Sequence, residues 1–80
     1  MNMYIISRRS GCSYCDILKN WLVARGKNID IKYAEDNMPF CRENGIKTVP
    51  TLVIEHETKE GYVDRHLISG FDSITAYLEV

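Results

Sequence analysis

Two cysteines three positions apart, Cys12 and Cys15 in the stretch Arg9-Ser10-Gly11-Cys12-Ser13-Tyr14-Cys15, are the residues here with the clearest capacity for chemistry. If this segment opens a helix, both side chains lie on one side and can close a small disulfide ring. One thiol can then attack a disulfide and the other can resolve the product. A free thiol titrates near about pH 8.5 and is a weak nucleophile at neutrality, but unpartnered N–H groups at a helix N-terminus favour the thiolate. Cys12 occupies that end and is expected to attack. Cys15, one turn deeper, is expected to be less exposed and to resolve. Arg8 and Arg9 either add positive potential near the sulfur or form a plain solvated face.

The competing chemistry for a C-x-x-C pair is half of a tetrahedral zinc site, completed by Cys41 and either His56 or His66. Zinc sites usually bring a second closely spaced ligand pair, and these three residues are isolated in sequence, so no metal is expected. Cys41 reads as a small buried hydrophobe, with a regulatory thiol as the alternative. Trp21 belongs to an apolar stripe, and neither histidine, placed in a loop and a strand, has a carboxylate or cysteine neighbour in sequence that gives it a catalytic role.

The elements that must position the pair follow from periodicity. Met3-Tyr4-Ile5-Ile6 is an apolar run suited to a central strand covered on both faces. From Cys12, residues Tyr14, Ile17, Leu18, Trp21 and Leu22 recur at helical spacing, predicting one amphipathic helix that stops near Arg25, with Gly26 closing it in a left-handed conformation. Ile29, Ile31 and Tyr33 alternate with polar residues as a half-buried strand does, and strand–helix–strand implies a parallel right-handed crossover. Glu35-Asp36-Asn37 supplies caps for a short helix from about Met38 to Asn44, with Pro39 in its first turn and Gly45 past its end. Thr51 to Ile54 and Tyr62 to Ile68 read as a hairpin joined through His56 to Gly61, and Ser73 to Leu78 as a last helix presenting Ile74, Tyr77 and Leu78 inward. Pro50 precedes the third strand as a rigid turn, and from the residues alone a trans bond is the default. The order β-α-β-α-β-β-α specifies an α/β fold: a four-stranded mixed sheet flanked by three helices, in one domain spanning residues 1–80.

Composition removes several function classes. A chain of 80 residues buries only about 60% of the surface its unfolded form exposes, so its core is expected to be a single contact layer. Ten basic against eleven acidic residues leave no field to hold a phosphate backbone, so nucleic acid is not an expected partner. The apolar residues before Ser7-Arg8-Arg9 are too few for a signal-peptide core or a membrane anchor. Three cysteines without a secretion signal point to a reducing, cytoplasmic compartment and to redox chemistry.

The residues resemble a known family at three places in order. Gly11-Cys12-Ser13-Tyr14-Cys15 resembles the active-site segment of glutaredoxins, commonly C-P-Y-C after a polar loop; Thr48-Val49-Pro50 resembles their T-V-P; and Ile68-Ser69-Gly70-Phe71-Asp72 resembles their I-G-G-F/Y-x stretch. The likeness spans nearly the whole chain. It implies a thioredoxin-like (glutaredoxin) fold and a monomeric dithiol–disulfide oxidoreductase that uses glutathione as reducing co-substrate. Its substrates would be protein disulfides and glutathionylated proteins, with ribonucleotide reductase as one such partner. It further implies a cis Pro50, with the Val49 backbone facing the active cysteine and Thr48 beside it. The γ-glutamyl carboxylate of glutathione would lie near Gly70, Asp72 and Ser73, where backbone N–H groups open the last helix. Tyr14 would flank the tripeptide, or else pack on its own helix, and Arg9 or Lys47 would meet the glycine carboxylate, Lys47 reading otherwise as a solvated charge.

Two departures widen the functional expectation. Ser13 stands where the family usually has Pro, and in some members a non-Pro residue there accompanies a 2Fe-2S cluster held between two subunits with glutathione. Ser69-Gly70-Phe71 is also similar to glutaredoxin-like donors reduced by thioredoxin reductase. The Trp-Cys-Gly-Pro-Cys segment of thioredoxin itself is absent.

Overall fold

The apolar run at the start forms strand β1 (Asn2–Ser7), and the cysteine segment opens helix α1 (Ser13–Ala24). The computed structural model describes residues 1–79. It continues with strand β2 (Asp30–Tyr33), a 3-10 turn (Ala34–Asp36), helix α2 (Met38–Glu43), strands β3 (Thr51–Glu57) and β4 (Val63–Ser69), and helix α3 (Phe71–Leu78). The strands make one open mixed sheet in the order β2-β1-β3-β4. β1 and β2 are parallel with Ile5 beside Ile31, whereas β1–β3 and β3–β4 are antiparallel, with Ile5 beside Leu52 and Leu52 beside Ile68. This is the α/β arrangement of four strands and three helices that the element order predicts. Among the described residues no helix is long and apolar enough to cross a membrane.

Side chains alternate across a strand, so the apolar run of β1 feeds both faces of the sheet. Ile5 joins Leu18, Leu22, Leu52, Ile54 and Ile74 on the face carrying α1 and α3. Tyr4 and Ile6 join Val53 and Cys41 on the opposite face, under α2. The expected single contact layer is therefore two clusters sharing one sheet. Burying each large aliphatic side chain contributes about 1.5–3 kcal/mol.

Several local expectations shift once these faces are known. The buried residues of α1 are Cys15, Leu18 and Leu22, while Tyr14 and Ile17 are 62% and 47% exposed. The inward stripe is thus rotated from the one periodicity proposes, because α1 docks on β1 and β3 along the line through Cys15. Gly26 closes the helix at φ +64°, as its position predicts. The Asn37 side chain does not cap α2; its Nδ2 donates to the Tyr33 carbonyl at 2.8 Å, and Glu35 and Asp36 are used in the 3-10 turn. The first hairpin strand runs three residues further than predicted, so His56 is a strand residue, and the second is shifted by one residue to Val63–Ser69. The last helix starts at Phe71, two residues early, and buries Ile74 and Thr75, with Tyr77 left 43% exposed.

One polar chain ties α2 to the far edge of the sheet. Arg65 Nε on β4 donates to Glu55 Oε2 on β3 at 2.8 Å, and the same oxygen accepts the hydroxyl of the buried Tyr4 at 3.2 Å. Arg65 also donates to Asn44 Oδ1 at the end of α2, 3.2 Å away, and its guanidinium lies 5.0 Å from the Phe40 ring centroid. Burial pushes the Glu55 carboxyl up, but the Arg65 hydrogen bond and charge, with the bonds from Tyr4 and Asn2, outweigh it and leave the group below its ordinary range. A depressed folded-state carboxyl stabilises the fold above its unfolded value and loses that contribution as pH falls through the folded value. The side chains keep 31% and 18% of their exposure, so Arg65→Met is expected to cost only about 1 kcal/mol at pH 7. Thermal melts should show a drop of about 5 °C at pH 7 that shrinks below about pH 4.

Candidate functional site

The turn before α1 needs a backbone that reverses sharply and then presents a cap residue. Gly11, at φ +73°, makes that reversal in a region side-chain-bearing residues rarely occupy. Cys12 then stands at the N-cap of α1 in extended conformation, and its Sγ accepts the Cys15 N–H at 3.2 Å. Cys12 and Cys15 are joined as a disulfide, their Cα atoms 5.3 Å apart. Their environments differ as expected: Cys12 is only partly buried, whereas Cys15 retains 1% exposure. A group at a helix N-cap whose sulfur already receives a backbone N–H is placed to hold negative charge when reduced.

Across from this sulfur lies the Thr48–Pro50 loop. The Val49–Pro50 bond is cis, and the Val49 carbonyl oxygen is 3.9 Å from Cys12 Sγ, a contact and not a hydrogen bond while the sulfur is in a disulfide. Thr51 Oγ1 braces the loop by donating to the Thr48 carbonyl at 2.7 Å, and Gly70 N donates to the Pro50 carbonyl at 3.0 Å, linking the loop to the start of α3.

Two hollows flank the ridge made by Tyr14 and Val49, which line both. The larger, about 730 Å³, runs from Cys12 past Lys47 and Thr48 to α2 and is walled by Arg8, Met38, Cys41 and Arg42. The smaller, about 360 Å³, holds Pro50, Gly70, Phe71, Asp72 and Ser73. Tyr14 leans toward Phe71, ring centroids 6.3 Å apart, at the boundary between them. Neither a family model, nor a curated protein, nor a solved structure matches this chain.

The residues singled out in sequence therefore divide by place. Lys47, Thr48 and Val49 sit beside Cys12 on the larger hollow; Pro50, Gly70, Asp72 and Ser73 gather at the smaller one, with Tyr14 between. Asp72, in the first turn of α3, adds a negative charge where an incoming carboxylate would meet the helix N-terminus. Arg9 is turned aside: its guanidinium pairs with Asp36 and stacks 4.7 Å from the Tyr33 ring centroid, and it does not line either hollow. Its neighbour Arg8 does line the larger one. No sequence pattern marks Met38, Ile46, Glu35 or Arg42 as a site residue, since only the packing of α2 and its flanking turns brings them beside the cysteines. Cys41 is buried at the floor of that hollow, and desolvation pushes its thiol up.

The residues of the zinc alternative are dispersed. His66 stands beside Ile54 on the α1 and α3 face, with its ring 6.2 Å from that of His56, while Cys41 packs with Val53 on the opposite face. Among the described residues no group of three or more His, Cys, Asp or Glu is arranged to hold a metal ion.

Proposed function

We propose that this chain is a glutaredoxin-like dithiol–disulfide oxidoreductase with a thioredoxin-like fold, working in a reducing compartment with glutathione as its electron source. The observation that carries this reading is the placement of Cys12: a partly exposed sulfur at the N-cap of α1, receiving a backbone N–H and opening on a hollow, with its partner Cys15 buried directly behind it.

In the reduced protein the Cys12 thiolate attacks one sulfur of a substrate disulfide, and the other sulfur leaves as a thiolate that takes a proton from water. The Cys15 thiol then loses its proton and attacks the Cys12 sulfur, releasing the second substrate thiol and leaving the Cys12–Cys15 disulfide. Two glutathione thiols reduce that disulfide in turn and depart as glutathione disulfide, so two electrons pass from glutathione to the substrate. Cys15 needs no access to solvent in this sequence, because its only target is the neighbouring sulfur. Protein disulfides, including that of ribonucleotide reductase, and glutathionylated proteins are the proposed substrates. Glutathione would place its γ-glutamyl end against the N–H groups opening α3 and its main chain along Val49.

Alkylation of the reduced protein tests the carrying observation. Iodoacetamide is expected to modify Cys12 first and rapidly already below neutral pH, with the buried Cys41 last, as followed by mass spectrometry. A Cys12 that reacts only at alkaline pH, like an ordinary free thiol, overturns the proposal. Supplying electrons through glutathione and its reductase, or through thioredoxin reductase, then identifies the donor.

A further inference from the structure

We infer that the larger hollow, beside Cys12, is a docking site for an acidic, extended peptide: the stretch flanking the target cysteine in a protein substrate. The inference rests on the reading of Cys12 as the attacking thiol and adds the class of chain presented to it.

Charge is the first argument. The chain carries five arginines, and three of them are paired, Arg9 with Asp36, Arg25 with Glu79 and Arg65 with Glu55. The two that pair with no carboxylate among the described residues, Arg8 and Arg42, both line the larger hollow, and Lys47 joins them there. A formal charge of −1 over the whole molecule makes this a local concentration of cations and not a reflection of composition. The hollow contains one carboxylate, Glu35, which accepts the Arg9 backbone N–H at 3.1 Å. Backbone N–H groups, its own and that of Arg9, hold this carboxyl below its ordinary range, with smaller help from Arg8 and Arg9 side-chain charge. Glu35 is thus engaged by the main chain, leaving Arg42 and Lys47 without an acid.

Shape is the second. Met38, Ala34, Ile46 and Val49 give the hollow an apolar floor that suits the stems and backbone of a peptide more than a free inorganic anion. The Lys47–Val49 segment that walls it makes no backbone hydrogen bonds through its N–H groups among the described residues, so it keeps main-chain donors that an extended chain can use. Cys12 and Arg42 line the same hollow, so the residues flanking a cysteine seated at Cys12 share that space with the arginine.

The test uses three short peptides whose single cysteine carries a coloured aryl thiol as a disulfide and is flanked by Glu, Gln or Lys. The Cys12 thiolate attacks the peptide sulfur and expels the aryl thiolate, whose absorbance reads the rate; Cys15 then releases the peptide thiol. With the reduced protein, the Glu peptide is expected to react about tenfold faster than the Gln peptide at low ionic strength, the gap closing in high salt. Arg42→Glu is expected to shift the preference toward the Lys peptide, and Arg8→Gln to reduce the ratio of Glu to Gln rates about threefold. Equal rates for the three peptides, or a Glu preference that survives both variants, overturns the docking site while leaving the redox reading intact. If no peptide expels its aryl thiol faster than free cysteine can do it, the redox reading itself is lost and this inference with it.

Discussion

Cys12→Ser is expected to abolish disulfide reduction, lowering it by about a thousandfold or more to the uncatalysed level. A serine hydroxyl stays protonated at neutral pH and cannot form or break an S–S bond, so neither attack nor the mixed disulfide survives. Cys15→Ser is expected to separate the two proposed activities. Under the proposed function its remaining Cys12 attacks a glutathionylated target and a second glutathione releases the product, so deglutathionylation is expected to persist. Reduction of a protein disulfide needs Cys15 to resolve the mixed disulfide before the substrate's own second thiol reverses it, and this activity is expected to be lost. The asymmetry follows from a partly exposed sulfur at the helix cap and a partner with 1% exposure one turn behind it. Steady-state rates with glutathione, NADPH and glutathione reductase, on a small mixed disulfide and on a protein disulfide, measure both. Activity that survives Cys12→Ser and vanishes in Cys15→Ser would reverse the roles assigned to the two sulfurs.

The largest effect on stability is expected from Leu18→Ala. Leu18 keeps 1% exposure and sits between Ile5, Leu52 and Ile74 in the cluster that docks α1 on the sheet. Removing its branched side chain forfeits burial and leaves a cavity, at a cost of about 3 kcal/mol. A domain this small sits in the lower part of the usual range of about 5–15 kcal/mol, so a melting temperature lower by about 15 °C is expected. The neighbouring Ile17→Ala is expected to cost at most about 0.5 kcal/mol, because Ile17 is 47% exposed. Urea unfolding with an unchanged m-value checks both. Similar costs for the two variants would mean that α1 is rotated by about one residue, roughly 100°, from the orientation described.

That comparison marks how far periodicity can be read. The apolar positions of α1 identify it as a helix and place its end, since Gly26 and the loss of spacing are local signals. They do not decide which edge of a broad apolar stripe faces inward, because Tyr14, Cys15, Ile17 and Leu18 are all acceptable there until the sheet exists. The same holds for the last helix, where helical spacing places Tyr77 inside and the packing buries Thr75 instead. Asn37 illustrates a competition between equals: a residue able to cap α2 bonds the Tyr33 carbonyl, an option created by the 3-10 turn before it.

The arginines beside the cysteine loop show where local reading stops altogether. Arg8 and Arg9 are adjacent and chemically identical in sequence, yet Arg9 meets Asp36, 27 positions later, and Arg8 is left facing the hollow. What the chain determined on its own is the chemistry that depends on near neighbours: two thiols at a spacing that suits a helix start, a glycine that turns the backbone ahead of them, and the order of strands and helices. Only the tertiary structure decided which groups share the space in front of the sulfur, because α2, the Thr48–Pro50 loop and the opening of α3 reach it through a sheet whose strand neighbours are distant in sequence. Partner choice among side chains is settled by that packing, and no spacing along the chain encodes it.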